Sequence, residues 1–266
     1  MLVHIIADYG QGDLAFAEVV QRIKFYLPDA ETVLTPVPAF STLAAGFCIA
    51  QLGLNEAPAG TLIYHNVAPR ADDEEARTAN AGERLAFARL PTGVRVIGVN
   101  AGEAFSFVRE SADELRWAAV ADAGSQFRSR DLFPQAAANI ALGQPDALAE
   151  EIDRTLIPDV PPNRIAYIDG YGNLKTTINS SSKPERATAG ATLRARIGQT
   201  EQQAVASDGS FEVEHGQLTF APGSSGWKDR DGMETRWMEL FLRGGNAWET
   251  FGRPSVGDVI KLSYES

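Results

Sequence analysis

The carboxylate of Asp8 follows an apolar run, residues 2–7 (LVHIIA), and opens a glycine-rich turn, Asp8-Tyr9-Gly10-Gln11-Gly12-Asp13. In an open α/β sheet, ligands bind beyond the carboxyl ends of the strands. A carboxylate at that place either accepts two hydrogen bonds from a ribose diol or merely caps a turn. Gly10 and Gly12 do not complete a GxGxxG fingerprint, and no GxxxxGK[ST] exists, so neither a dinucleotide fingerprint nor a P-loop is supported. Asp72-Asp73-Glu74-Glu75, flanked by Arg70 and Arg77, would supply a general base or orient a water, or else is a solvated loop. His65, inside an apolar segment, reads as a satisfied core histidine rather than a catalyst. No Ser/His/Asp set assembles, and there is no Gly-x-Ser-x-Gly elbow. The three histidines (His4, His65, His215) lack zinc-ligand spacing, so no metal site is expected.

Two further turns carry polar groups. Gly223-Ser224-Ser225-Gly226-Trp227 offers backbone N–H groups and hydroxyls to a carboxylate, or is an ordinary hairpin loop. Gly244-Gly245-Asn246-Ala247-Trp248 lets backbone approach a planar ligand closely, or is a tight barrel corner. Trp227, Trp237 and Trp248 read as core, although an exposed ring would stack on a base.

The elements that position these groups fall into two parts. Residues 2–7 predict a buried strand. Phe16, Val19, Val20, Ile23 and Leu27 then recur at helical spacing, with Asp13 as N-cap and Pro28 as the stop. Thr32–Pro36, Thr61–Val67 and Val94–Val99 read as strands, and Ser41–Leu54 as a helix. Asp131, Phe133 and Pro134 start another helix that Gly143 ends. Strand and helix thus alternate to about residue 155. Ile157-Pro158-Asp159-Val160-Pro161-Pro162 is a proline-rich linker. Beyond it, Arg164–Asp169 and Leu174–Ile178 flank the turn Gly170-Tyr171-Gly172-Asn173, and strands follow near 192–197, 211–220, 237–243 and 257–264. The expected architecture is an α/β domain over 1–158 followed by a mostly β, barrel-like domain over 164–266.

Composition narrows the function classes. The chain has 266 residues, 44% of them apolar and 22% charged, which is the globular norm. Its formal net charge of −11, with no Lys/Arg-rich run, argues against a partner that is nucleic acid. The longest apolar stretch, Leu43–Leu54, is too short to cross a bilayer, so no membrane association is expected. The opening residues lack a basic n-region, and the single cysteine, Cys48, fits a reducing cytoplasm.

Taken together, the order of these pieces resembles one family, the S-adenosyl-L-methionine hydroxide adenosyltransferases and their fluorinase and chlorinase relatives. The likeness runs over nearly the whole chain. The family's Thr-Asp-Phe-Gly-x-x-Asp turn is matched by Ala7-Asp8-Tyr9-Gly10-Gln11-Gly12-Asp13, and its Arg-Asp-x-Phe-x-Pro-x-Ala-Ala segment by Arg130–Ala137 with the proline displaced. Its Asp-x-Phe-Gly-Asn turn is similar to Asp169-Gly170-Tyr171-Gly172-Asn173. Its Asn-Ser-x-Gly and Gly-Asn-Ala-Ala elements resemble Gly223-Ser224-Ser225-Gly226 and Gly245-Asn246-Ala247-Trp248, and its terminal Gly-Asp-x-Val resembles Gly257-Asp258-Val259-Ile260. The resemblance implies a homotrimer with sites between subunits, an adenosyl ligand and no separate cofactor. It implies that Asp8 grips the ribose hydroxyls, with Asp13 in register beside it. Asp169, Ser224 and Ser225 would hold the ends of methionine, and Asn173 and the backbone at Ala247 would read the adenine edge. Asn100 falls in the family's Pro-Asp-Asn-Gly element, here Val99-Asn100-Ala101-Gly102.

The departures concern the chemistry. The family's Val-Asp-Pro-Gly-Val-Gly-Thr reads Val67-Ala68-Pro69-Arg70-Ala71-Asp72-Asp73, so its aspartate is Ala68. Glu75 stands where the family has an arginine, and Arg128 where it has a histidine. Two readings follow. One is an enzyme with a rebuilt nucleophile site, hydrolysing S-adenosyl-L-methionine to adenosine and methionine, with Arg70, Asp72, Asp73, Glu75 and Arg128 as candidates for holding an anion or orienting water. The other is an adenosyl- or nucleoside-binding protein that has lost catalysis, or an enzyme of this fold acting on a different substrate.

Overall fold

The structure, a computed structural model, describes residues 1–69, 82–121, 124–182, 188–209 and 211–264. It divides into two compact units, Met1–Asp159 and Val160–Ser266, each built on a seven-stranded sheet.

The first unit begins as expected. β1 (Leu2–Ala7) leads through the glycine turn into α1 (Leu14–Tyr26). The Asp13 side chain accepts from Ala15 N at 2.8 Å, which satisfies one of the N–H groups that a helix start leaves unpaired. Phe16, Val19 and Ile23 form the buried stripe of α1 and pack against Val3, Ile5 and Ala7 of β1. Each such side chain contributes roughly 1.5–3 kcal/mol on burial. β2 (Glu31–Pro36) then pairs parallel with β1. It is followed by α2 (Thr42–Gly53), in which ten residues are buried, so this helix is apolar nearly all round. Gly46 allows close packing there, because a Cβ on it would meet Glu103 O at 2.4 Å.

β3 (Leu62–Asn66), β4 (Leu85–Arg89), β5 (Arg95–Val99) and β6 (Glu114–Ala118) follow, then α3 (Arg128–Asp131), α4 (Phe133–Ala141) and β7 (Leu148–Glu151). The strand order is β2-β1-β3-β5-β4-β6-β7. The first four strands in that order are parallel, whereas β4, β6 and β7 pair antiparallel. Regular strand–helix alternation therefore ends at β3 among the described residues, earlier than the expected residue 155. The strands missed, β4, β6 and β7, have only four or five residues each, too few for a clear pattern.

The second unit is almost all β: β8 (Ile165–Ile168), β9 (Leu174–Asn179), β10 (Thr192–Ile197), β11 (Thr200–Ala206), β12 (Leu218–Lys228), β13 (Glu234–Leu242), the short α5 (Ala247–Thr250) and β14 (Ile260–Tyr264). The order is β14-β10-β11-β12-β13-β9-β8. The sheet curls into a half-barrel whose outer strands touch at one end. Arg164 and Val259 form a bridge there, and Ile260 N donates to Asn163 O at 2.8 Å. Along β10, Leu193, Ala195 and Ile197 point into the core while Arg194 and Arg196 face out. That is the period-2 pattern of a strand with one wet face. The strand expected near 211–220 lies instead at Leu218–Lys228, and it absorbs the Gly223–Gly226 turn as a bulge.

Candidate functional site

In the first unit the parallel strands β2, β1, β3 and β5 end on one edge. From β1 the chain moves to β2 on one side and then to β3 on the other, so the sheet's switch point lies beside β1. That is where a crevice opens in sheets of this kind. Asp8 is the first residue past β1 and is half-buried. Its Oδ2 accepts from Phe40 N at 2.9 Å, and its Oδ1 has no partner among the described residues. Phe40 sits in the loop between β2 and α2 with φ at 63°, a conformation costly for a side-chain-bearing residue, and its side chain is 48% exposed. Leu14, at the start of α1, is exposed as well. Among the described residues, a carboxylate with one oxygen open to donors is thus held at the switch point by the backbone of an exposed aromatic residue.

The same loop is held from its other end. Thr42 Oγ1 donates to Glu103 Oε2 at 2.5 Å and accepts from Glu103 N at 3.2 Å. Gly102, with φ at 45°, fits against Thr42, whose Oγ1 would lie 2.4 Å from a Cβ there. Asn100 lies after β5, and its N donates to Arg84 O at 2.9 Å. Two strand spacings, about 10 Å, separate the ends of β1 and β5. Asp13 caps α1 through its side chain, as described above.

Of the residues expected to carry chemistry, Arg70, Asp72, Asp73 and Glu75 lie outside the described residues. Arg128 is buried. It donates from Nη1 to Glu83 O at 3.0 Å and from Nη2 to Ala121 O at 3.1 Å, and it lies 4.8 Å over the Phe133 ring. Gly82 leaves the space for it, since a Cβ there would come within 2.5 Å of Nη1. Both terminal nitrogens of Arg128 are thus used to tie backbone. His65 is fully buried, as a core histidine should be, yet neither ring nitrogen makes a hydrogen bond of good geometry among the described residues. Burial pushes its pKa down to about 3, and the nearby Val99 backbone offsets this slightly. A Cβ on Gly98 would lie 1.9 Å from His65 Cδ2, and Phe105 packs at 5.3 Å between ring centres.

In the second unit the fold gathers Asp169, Asn173, Ser224, Ser225 and Ala247 around neighbouring strands. Asp169 Oδ1 accepts from Tyr171 N and Asn173 N, both at 3.0 Å, and Oδ2 accepts from Asn173 Nδ2 at 2.9 Å. That bond fixes the Asn173 amide, because only its nitrogen can donate to a carboxylate, and the amide oxygen turns away. Trp248 N donates to Gly172 O at 2.9 Å, which ties the buried Ala247 at the start of α5 to the Asn173 turn. The Pro222–Gly226 bulge of β12 lifts out Ser224, which is exposed, and tucks in Ser225, which is buried.

Under that bulge lies a pair that sequence reading missed. Lys175 and Glu239 face each other across β9 and β13, both buried, with Nζ to Oε1 at 2.6 Å. Glu239 Oε1 also accepts from Ser224 N at 3.1 Å. Lys175 Nζ reaches Ser224 Oγ at 3.4 Å and Asp169 Oδ2 at 3.7 Å. Gly223 makes room for Glu239, whose Oε1 would lie 1.9 Å from a Cβ there. The available signal was a charge of each sign in two segments that read as strands, Lys175 in LKTTI and Glu239 in WMELFL. Phe40 and Glu103 were missed as well, because an isolated residue in a loop carries no period.

Among the described residues, no group of three His, Cys, Asp or Glu is placed to hold a metal ion. No described helix is long and apolar enough to cross a membrane.

No family model matches the chain, and no curated protein does. Solved structures do. An uncharacterised conserved protein from Thermotoga maritima aligns over 98% of this chain and 100% of its own, with TM-score 0.75 and 18% identity. A conserved hypothetical protein from Thermus thermophilus aligns over 98% of this chain and 99% of its own, with TM-score 0.66 and 19% identity. At that identity the likeness establishes the fold that this chain shares with them.

Proposed function

We propose that this protein binds an adenosyl compound, with displacement at C5′ as the reaction open to it. Hydrolysis of S-adenosyl-L-methionine is the form that the sequence resemblance implies. The observation that carries the reading is Asp8, a carboxylate at the switch point of the first sheet with one oxygen unpartnered among the described residues, held by the backbone of the half-exposed Phe40. A ribose diol supplies two donors for such a carboxylate, and a purine supplies a face for such a ring.

In the hydrolytic step, water forms a bond to C5′ and the C5′–S bond breaks. Its electron pair goes to sulfur, which leaves as the thioether of methionine, and the water proton passes to solvent. The protein's part is alignment of the nucleophile and exclusion of bulk water. Binding without turnover is a second reading. It is favoured by Arg128, whose terminal nitrogens are engaged by the Glu83 and Ala121 carbonyls rather than left for an anion. The homotrimer, the cytoplasmic location and the barrel-like second domain belong to the same proposal.

The test is chromatography with mass detection after incubating the protein with S-adenosyl-L-methionine, with and without chloride, beside calorimetry with adenosine. Adenosine formed above the no-protein background, and lost in Asp8→Ala, supports the enzyme. Binding of adenosine without turnover supports the binder. No binding of either compound at millimolar concentration removes both.

A further inference from the structure

We propose that the open seam of the second unit's half-barrel docks an extended acidic peptide, which pairs as an added strand with the free edge of β14. The proposal stands on the second unit alone and does not depend on the adenosyl reading.

The seam begins where β8 and β14 part. Their last contacts are the Arg164–Val259 bridge and the bond from Ile260 N to Asn163 O at 2.8 Å. Beyond them β14 runs on to Tyr264, whereas the residues that precede Asn163 are Pro161 and Pro162, which have no N–H to give. On its other side β14 is paired with β10. Backbone groups along such a strand alternate in direction. Ile260 N points to the seam, so the N–H and C=O groups of Leu262 and Tyr264 point there too, and none of these is bonded among the described residues.

A groove of about 520 Å³ opens along this edge. Ile178, Ile260 and Leu262 give it an apolar floor, and Pro162, Arg164 and Lys261 line it as well. Its volume lies within the ~300–1,000 Å³ usual for ligand clefts. A strand added here would turn alternate side chains onto the apolar floor and the others out toward solvent.

The cations around the groove decide the charge of the guest. Lys261 is exposed, and no carboxylate meets it among the described residues. Arg196 lies directly across from it on β10, also faces out, and donates to Gly198 O and Gln199 Oε1. Arg164 donates to Gly257 O at 3.0 Å, and no carboxylate meets it among the described residues either. Arg194, two residues from Arg196 along β10, is by contrast ion-paired with Glu201 at 3.3 Å. Like charges opposite each other on a sheet are destabilising, and an anion beside Arg196 and Lys261 would relieve them. The chain's net charge of −11 opposes this weakly, because charges beyond about 8 Å are largely screened at physiological salt. A second copy pairing through the same edge would bring these cations against their own twins, and an edge lysine deters such pairing. The guest is therefore a segment in which apolar and acidic residues alternate.

The test uses the full chain with a fluorescein-labelled peptide, Glu-Val-Glu-Val-Glu-Val-Glu, and Lys-Val-Lys-Val-Lys-Val-Lys as its control. Anisotropy should show the acidic peptide binding at least about tenfold tighter than the basic one, with affinity falling as salt is added. Hydrogen exchange read by NMR should show the Leu262 and Tyr264 amides slowing when the acidic peptide binds. N-methylation of the peptide's valines, or of its glutamates, blocks one edge of the strand, so one of the two should cost at least about tenfold. Lys261→Glu should weaken binding at least about threefold. No binding of the acidic peptide at millimolar concentration, equal binding of the basic one, or binding that leaves those two amides unchanged overturns the proposal. So does finding the edge already taken: the two amides as slow in the free chain as those of the β10–β14 ladder, or a self-associated chain whose dissociation exposes them. Should Lys261→Glu fail to fold, the N-methylated peptides decide on the unaltered protein, and tolerance of both modifications overturns the strand pairing.

Discussion

Lowering the pH from 7 to 5 should cost this protein about 2 kcal/mol of folding stability through His65 alone. The histidine is fully buried, and burial holds its pKa at about 3, against 6.5 for the free side chain. The unfolded chain therefore takes up a proton near pH 6.5 that the folded chain refuses. Stability is fully present above pH 6.5 and falls progressively as the pH drops toward 3. At pH 5 the unfolded state gains a factor of roughly 30 from that proton, which is about 2 kcal/mol. Extended to pH 3, where the folded histidine is itself half protonated, the loss reaches roughly 4 kcal/mol. Other groups do not obscure this window. His4 shifts in the same direction, also through burial, and is retained in the control below. Asp131, which the Arg130 guanidinium and the Ser125 hydroxyl hold down to about 2, loses its contribution only at lower pH.

The assay is chemical denaturation followed by circular dichroism at pH 7, 6 and 5, on the wild type and on His65→Leu. The leucine cannot take a proton and leaves no ring nitrogen buried without a partner. The variant should match or exceed the wild type at pH 7 and lose little by pH 5. An unchanged wild-type midpoint between pH 7 and 5, or an equal loss in both proteins, would refute the argument that His65 is buried in its neutral form.

Three more outcomes follow from individual contacts. Gly98→Ala drives a methyl to 1.9 Å from His65 Cδ2 and should destabilise by about 1–3 kcal/mol, read as a lower thermal midpoint and partly recovered by adding His65→Ala. Asp13→Ala removes the N-cap of α1 and should cost about 1 kcal/mol, while Asp13→Asn should cost much less, measured by urea denaturation. Asp8→Asn removes the charge at the switch point but keeps a carbonyl oxygen for Phe40 N, so adenosine affinity should fall about tenfold or more with the thermal midpoint near wild type.

Much of the first unit was legible because its signals are local and repetitive. The cap at Asp13, the stripe Phe16–Val19–Ile23 and the stop at Pro28 each act within a few residues, and α1 spans Leu14–Tyr26 accordingly. β4, β6 and β7 were not legible, since strands of four or five residues hold too few alternations to stand out. The Gly223–Gly226 segment read as a loop because its residues are those of a turn. Whether such residues end a strand or bulge within it depends on the partner strand, and here β13 continues past the bulge on both sides.

By itself the sequence determined where α1 starts and stops, that helices precede residue 160 while strands dominate after it, and which turns carry carboxylates and amides. These follow from caps, glycine and proline, and hydrophobic period, whose physics acts over a few bonds. The tertiary structure alone decided what those polar groups face. Asp8 keeps an open oxygen because, among the described residues, only the Phe40 loop reaches it, 32 residues away in the chain. Asp169 does not, because its own turn and Lys175 fill it. Lys175 in turn is held by Glu239, 64 residues on, across the pairing of β9 with β13. A carboxylate's availability is set by the donors that folding brings to it, and a linear chain does not specify which distant donors will arrive.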